Sequence, residues 1–251
     1  MGRFENNSDM IEQQTDIERL VNTMGFLPFF ANDISNFSIK EKTPDDLWFS
    51  DEKDGPWQWK GPVIIDGDCA YGKFYRNKAM YVSMEWFPDF MNWRRSHYKL
   101  TTQERKVLKI LKAYRSLLSR ELKRLSGYTP KPTHRQTNPV LRLSEKEVKK
   151  VKTLKHDVQA TRKKKTEGFD TCITHLQMST HVVTADFEYN YDKQGRRYGW
   201  GVARYCTPED FFGAERLVVE RTPEESARRM FDHLRKLLTW ATEDQIWKII
   251  T

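Results

Sequence analysis

Residues 101–127 read TTQERKVLKILKAYRSLLSRELKRLSG, and the periodicity of this stretch sets the fold of the C-terminal half of the chain. Thr101 and Glu104 form a capping box, the hydroxyl and the carboxylate each serving a free N–H of the first helical turn. Val107, Leu108, Ile110, Leu111, Tyr114, Leu117 and Leu118 then recur at helical spacing and make one broad apolar stripe. After a tight break, Ser119 is expected to cap a second, short basic helix with Leu122 and Leu125 inward, closed by Gly127. Two helices joined so closely read as the opening of a helix-turn-helix.

Downstream, residues 128–143 carry Pro130, Pro132 and Pro139 without periodicity and read as a loop. Ser144 with Glu147 starts a basic helix whose thin apolar stripe is Val148, Val151, Leu154 and Val158, ending near Arg162, Lys163, Lys164 and Lys165. Residues 169–180 read as a third helix of the unit, with Phe169, Cys172, Ile173 and Leu176 inward. Val183, Ala185, Phe187 and Tyr189 then alternate, Asp192-Lys193-Gln194-Gly195 is a turn, and residues 198–205 return as a second strand. Helix, tight break, helix, later helix and hairpin is the winged-helix order. Thr207-Pro208-Glu209-Asp210 and Thr222-Pro223-Glu224-Glu225 start two further helices, the second running to about residue 240.

Upstream, Ile11, Ile17, Leu20, Val21 and Met24 give a helix that ends at Gly25, before an apolar stretch over residues 26–31. Thr43-Pro44-Asp45-Asp46 is a helix start with Thr43 as cap. Residues 48–93 hold five of the eight tryptophans. Asp54-Gly55-Pro56 and Asp66-Gly67-Asp68 read as turns, and residues 62–65, 69–75 and 79–82 as short strands. Ser83 is expected to cap a short helix through Trp93 that Pro88 interrupts. The fold class is therefore α+β: an aromatic-rich N-terminal part (1–100), a winged helix (101–213) with a basic insertion (128–168), and a C-terminal helical segment (214–251).

The formal net charge is +8, and residues 128–168 carry all of it, with twelve Lys or Arg against four Asp or Glu. Such a block suits a phosphate-tracking surface and equally a solvated helix face. The three cysteines are odd in number and widely spaced, which points away from a disulfide framework and toward a reducing, cytoplasmic address. The first residues lack a signal peptide's profile, and no apolar run reaches the length of a membrane span.

The candidate DNA contacts are Thr171, Thr174, His175 and Gln177, with Asp170 and Ser179, on what is expected to be the outer face of the 169–180 helix. Short polar side chains there can reach base edges in the major groove. Lys193, Arg196 and Arg197 at the hairpin tip, and the run Arg162–Lys165, supply cations for phosphates. Trp57, Trp59, Tyr71 and Trp86 either line a stacking pocket or form plain core. Cys172, His175 and His181 lack the second pair that a zinc site needs, so no metal and no other cofactor is expected. Glu85 and Asp89 are the carboxylates nominated as acid or base.

With these residues in view, the chain resembles the AlkZ/YcaQ-like group of winged-helix DNA glycosylases, and within it the shorter AlkZ-related bacterial proteins. The resemblance lies in Gly25-Phe26-Leu27-Pro28-Phe29-Phe30, Gly55-Pro56-Trp57-Gln58-Trp59-Lys60-Gly61-Pro62, Glu85-Trp86-Phe87-Pro88-Asp89-Phe90, Ser119-Arg120-Glu121-Leu122-Lys123, and Phe169-Asp170-Thr171 leading into Leu176-Gln177-Met178. It implies winged-helix units around a DNA channel and DNA repair by base excision, with a catalytic pair of polar residues soon after the N-terminal helix. Pro28 and Phe30 stand at those positions, and neither can activate a water or stabilise a sugar cation. The expected function is binding of double-stranded DNA without the relatives' catalytic pair. The alternatives are a diverged glycosylase acting on alkylated bases and a ligand-responsive transcriptional regulator.

Overall fold

The computed structural model describes residues 9–50, 52–128, 167–195 and 197–251. The chain starts with α1 (Gln14–Met24) and runs through Gly25 into β1 (Phe26–Pro28). Two single turns come next, α2 (Ile39–Lys42) and α3 (Asp45–Trp48), then α4 (Pro56–Asp66), β2 (Cys69–Tyr75), β3 (Lys78–Ser83) and α5 (Phe87–His97). The strands form an antiparallel sheet in the order β1-β3-β2, with Leu27 opposite Tyr81 and Tyr81 opposite Tyr71.

The second unit is α6 (Thr102–Tyr114), β4 (Ser116–Leu118), α7 (Ser119–Leu125), α8 (Phe169–Met178), β5 (Val183–Tyr191) and β6 (Arg197–Cys206). Its strands pair antiparallel in the order β4-β6-β5, with Leu117 opposite Tyr205 and Phe187 opposite Ala203. The chain closes with α9 (Pro208–Phe212), a 3₁₀ turn (Ala214–Leu217), α10 (Pro223–Leu237) and α11 (Glu243–Ile250). Mixed α+β architecture with two small antiparallel sheets is as expected.

Five local expectations are corrected. Leu117 and Leu118, read as the end of the α6 stripe, lie on β4, because α6 stops at Tyr114 and the chain turns at Arg115 (φ +61°) to pair with β6. Residues 62–65 are helical, because Asp54-Gly55-Pro56 starts a helix: Pro56 takes the first position and Gln58 Oε1 accepts from Gly55 N at 3.1 Å. Pro88 opens α5 from its first turn, where its missing N–H costs nothing, and Ser83 belongs to β3. Leu118 occupies the cap of α7, its N–H held by Glu121 Oε2 at 3.1 Å, with Ser119 already inside the helix. The Thr43 hydroxyl does not cap α3 but donates back to Ile39 O at 2.8 Å. The predicted helix from Ser144 lies outside the described residues.

The core has three parts. Val107, Leu111, Leu122, Cys172, Ile173, Leu176 and Tyr205 close the second unit upon itself. Ile17, Val21, Leu27, Phe29, Trp48, Val63 and Tyr81 fill the space beneath α1 and α4. The third part joins distant segments, packing Phe26, Phe74 and Phe90 with Val183, Cys206, Met230, Leu234 and Ile246. Each such fully buried side chain contributes roughly 1.5–3 kcal/mol relative to exposure. All three cysteines are buried and free, and among the described residues no helix is long and apolar enough to cross a membrane.

Arg94 ties these segments together. Its buried guanidinium donates from Nε to Ile250 O (2.9 Å), from Nη2 to Ile249 O (3.1 Å) and from Nη1 to Met178 O (2.7 Å). Burial lowers its pKa to about 9, which leaves it charged at neutral pH. Replacing it strands three carbonyls in a dry interior. Arg94→Met should therefore cost about 3 kcal/mol or more, lowering Tm by roughly 6–12 °C in a chain of this size. A calorimetric scan showing a change under about 2 °C would mean that water replaces the guanidinium.

Candidate nucleic-acid interface

Helix α8 is held by Phe169, Cys172, Ile173 and Leu176, which face α6 and α7. Of the polar residues expected outward, Asp170 and Thr171 are exposed and His175 is half-buried. Thr174, Gln177 and Ser179 are buried, which corrects their placement. Strand β2 lies along that side of α8: Gln177 Oε1 accepts from Lys73 N at 3.1 Å, and Thr174 Oγ1 accepts from Lys73 Nζ at 3.2 Å. Gln177 Nε2 is turned to Ile173 O (3.3 Å) and Ser179 Oγ to His175 O (2.7 Å). These side chains fasten the two halves of the chain and do not face solvent.

His175 Nδ1 lies 2.9 Å from Glu167 Oε1 and 3.6 Å from Glu104 Oε1. Among the described residues this trio is where ligating atoms converge, all within 4.8 Å. The Glu104 carboxylate is already engaged, accepting from Thr101 N (2.7 Å) and from the Tyr98 hydroxyl. The sequence trio of Cys172, His175 and His181 does not assemble. Cys172 is in the core, and His181 Nδ1 sits 3.0 Å from Ser179 Oγ with its pKa pulled down to about 4 by burial.

The hairpin turn is as expected: Gly195 N donates to Asp192 O (3.0 Å), Gln194 N donates to Asp192 Oδ1 (2.9 Å), and Lys193 is exposed. Arg196, the side chain of Arg197, and the run Arg162, Lys163, Lys164 and Lys165 lie outside the described residues. The root of the hairpin is docked on α4. A Cβ at Gly61 would stand 2.6 Å from Asp186 Oδ1, and Tyr189 Oη donates to Trp57 O at 3.2 Å.

The four aromatics nominated for a pocket do not converge. Trp57, Trp59 and Tyr71 belong to the core part beneath α1 and α4, and Trp86 to the part around α5 and α10. Trp57 packs at 5.1 Å on Phe29, 5.8 Å on Phe30 and 5.4 Å on Trp48, while Pro28 is buried at the end of β1. Sequence reasoning missed Lys60, whose Nζ lies 4.4 Å from the Phe187 ring centroid, 5.0 Å from Trp57 and 6.0 Å from Phe29. Desolvation lowers its pKa to about 8. The signal was the i,i+3 pair Trp57 and Lys60, invisible while residues 62–65 read as a strand.

Glu85, Trp86 and Asp89 do come together, on the wall of an open groove of about 1100 Å³ that α10 completes with Arg228, Arg229 and His233. Asp89 is 1% exposed, and both its oxygens are engaged. Oδ1 accepts from Arg221 Nη1 (2.9 Å) and Ser226 Oγ (2.7 Å), and Oδ2 from Arg229 Nη1. The Arg229 Cζ also stands 3.8 Å from the Trp86 ring centroid, and the His233 ring stacks on the same indole at 4.1 Å. His233 Nε2 reaches Met24 O at 3.0 Å, and burial holds its pKa below the usual imidazole value. Gly25, at φ +78°, makes room for this: a Cβ there would lie 2.5 Å from Trp86 Cδ1. Glu85 is 62% exposed and touches only Arg229 Nη2, at 3.2 Å, through its carboxylate.

A helix–strand–helix unit with a docked hairpin, joined to an aromatic α+β half, is the architecture on which this geometry rests. The chain belongs to the AlkZ-related family, whose model matches residues 11–251. No curated protein and no solved structure matches it.

The groove carboxylates should separate cleanly on substitution. Asp89→Ala leaves two arginines facing an empty position and should cost about 3–5 kcal/mol. Glu85→Gln should cost no more than about 1 kcal/mol, because its ion pair is solvated. Denaturant titration of both variants checks this, and equal losses would show that Glu85 shares the clamp.

Proposed function

We propose that the chain is a winged-helix protein that binds double-stranded DNA and does not excise bases by the mechanism its family resemblance implies. The observation that carries this reading is the strand order β4-β6-β5 joined to α6, α7 and α8. In a winged helix the short strand after the first helix pairs with the second hairpin strand, leaving the hairpin to project as a wing. The family adds a DNA-repair relation, and the charge excess confined to residues 128–168 supplies phosphate affinity.

The burial of Thr174 and Gln177 narrows the contact set. Asp170, Thr171 and His175 remain on the open side of α8 and Lys193 at the exposed hairpin turn, to which the sequence adds Arg196 and Arg197. Readout through so few base-edge groups favours backbone contacts over sequence recognition. The catalytic half of the reading rests on side-chain chemistry. Pro28 and Phe30 offer no acceptor or charge, and losing a positioned acid or base costs about 10²–10⁴-fold. Asp89, the nominated substitute, is clamped by two arginines and Ser226 rather than held free for proton transfer.

Fluorescence-anisotropy titration against plain, abasic and alkylated duplexes at two salt concentrations tests the reading. All three should bind with a clear salt dependence. Replacing Lys163, Lys164 and Lys165 by Ala should weaken binding and flatten the log–log salt slope by up to about 0.9 per lost phosphate contact. Arg196→Ala with Arg197→Ala should weaken binding severalfold, with stability changed by less than about 0.5 kcal/mol. Absence of binding at low salt defeats the reading, and release of an alkylated base from an oligonucleotide defeats its non-catalytic half.

A further inference from the structure

The root of the hairpin holds an amine whose partners among the described residues are aromatic rings, with no carboxylate or hydrogen-bond acceptor. Lys60 projects from α4 into a space bounded by Phe187 on β5, Trp57 on its own helix and Phe29 just beyond β1. Its Nζ makes no hydrogen bond and no ion pair with any described residue. Asp186, the neighbouring carboxylate on β5, is turned to its own strand, Oδ1 accepting from Phe187 N at 2.7 Å beside Gly61. The contrast with Arg229 is direct. That cation also lies on an indole, but Asp89 and Glu85 neutralise it. A cation held purely for folding is normally paired when it leaves water.

We infer that Lys60 is a nucleophilic amine that forms an imine with an aldehyde, the ring-opened C1′ aldehyde of an abasic deoxyribose in a duplex engaged by the hairpin. Three features on the molecule point there. The amine is partly desolvated by rings, the environment that keeps a lysine neutral enough to attack a carbonyl. With its pKa near 8, about a tenth of it is neutral at pH 7, against less than about 0.1% for an unperturbed lysine. Phe187 and Tyr189, which wall and fasten the site, are on the strand that leads to Lys193 at the tip, six residues or about 20 Å away. A duplex held by the tip is thus brought to the root that carries the amine.

The chemistry balances without a further reagent. The Nζ lone pair adds to the aldehyde carbon, the carbonyl π electrons move to oxygen, and a proton passes from nitrogen to that oxygen to give a carbinolamine. Loss of water then leaves the imine, reversibly. The flat rings around Nζ suit an extrahelical sugar that carries no base.

This inference rests on the DNA-binding reading, and one experiment separates their failures. Protein is incubated with a duplex carrying a natural abasic site, or its tetrahydrofuran analogue, which has no aldehyde. Sodium cyanoborohydride reduces any imine to a stable secondary amine, and affinity for both duplexes is measured in parallel. Wild type should give a covalent complex with the abasic duplex alone, and peptide mass mapping should place it on Lys60. Lys60→Arg keeps the charge over the rings but cannot form the imine. It should lose the adduct by about tenfold or more while binding stays within about threefold. An adduct of wild-type yield in Lys60→Arg, or none from wild type that binds the abasic duplex, overturns the inference. No binding to either duplex overturns the DNA reading and the imine together.

Discussion

One guanidinium ends two helices. The last carbonyls of α8 and α11 have no partner within their helices, and the peptide dipoles gather negative charge there. Arg94, from the last turns of α5, supplies donors to both ends, and its Cζ lies 4.1 Å from the Phe90 ring centroid. A neutral donor could satisfy one such end. Only a planar group with several N–H bonds and a fixed charge can serve three carbonyls from two directions. Residues 87–97, 169–178 and 243–250 are thereby set in one arrangement. Arg95 adds a second tie, to Glu209 and to Thr180 O.

With those segments fixed, the cation–aromatic contacts of Arg229 and Lys60 acquire opposite characters. On the α10 side, Trp86 is covered by Arg229 and His233, and the buried Asp89 balances the charge, so the groove wall is a closed electrostatic unit. On the α4 side, Lys60 meets rings and no carboxylate among the described residues. The same side-chain classes give a charge-balanced cluster in one place and an amine among rings in the other. The difference is the pair of carboxylates, Asp89 and Glu85, that face Arg229.

How much of this is legible in the sequence depends on range. The capping boxes at Thr101 and Thr222 and the hydroxyl cap at Thr207 are local, and sequence alone places them, as it does the α6 stripe as far as Tyr114 and the turn at Asp192–Gly195. Leu117 and Leu118 continue the apolar run but pair with β6 as a strand. The Thr242–Gln245 box that starts α11 carries the same local signal, and the sequence reading passes over it. Residues 54–56 mislead because Gly-Pro suits a turn and a helix start alike, and only Gln58 reaching back to Gly55 decides between them. Thr174 and Gln177 look like a polar outer face until β2, about a hundred residues earlier, covers them. Likewise nothing near Asp89 announces Arg221 and Arg229, which arrive from more than a hundred residues downstream. Periodicity shows which side of a helix is apolar. It does not show which polar side another element will cover.

The docking of the hairpin root also has an optical consequence. Tyr189 Oη holds the carbonyl of Trp57, and that indole is wedged among Phe29, Phe30 and Trp48 with the Lys60 ammonium 5.0 Å from its centroid. Indole emission shifts with the electric field across the ring, so a charge at this distance acts as a fixed tuning element. A strand clasped to the backbone of the emitting residue acts as a mechanical linkage. Trp57, one of eight tryptophans, thus emits from a ring whose field is set at the hairpin root, by Lys60 and by the strand fastened to its carbonyl.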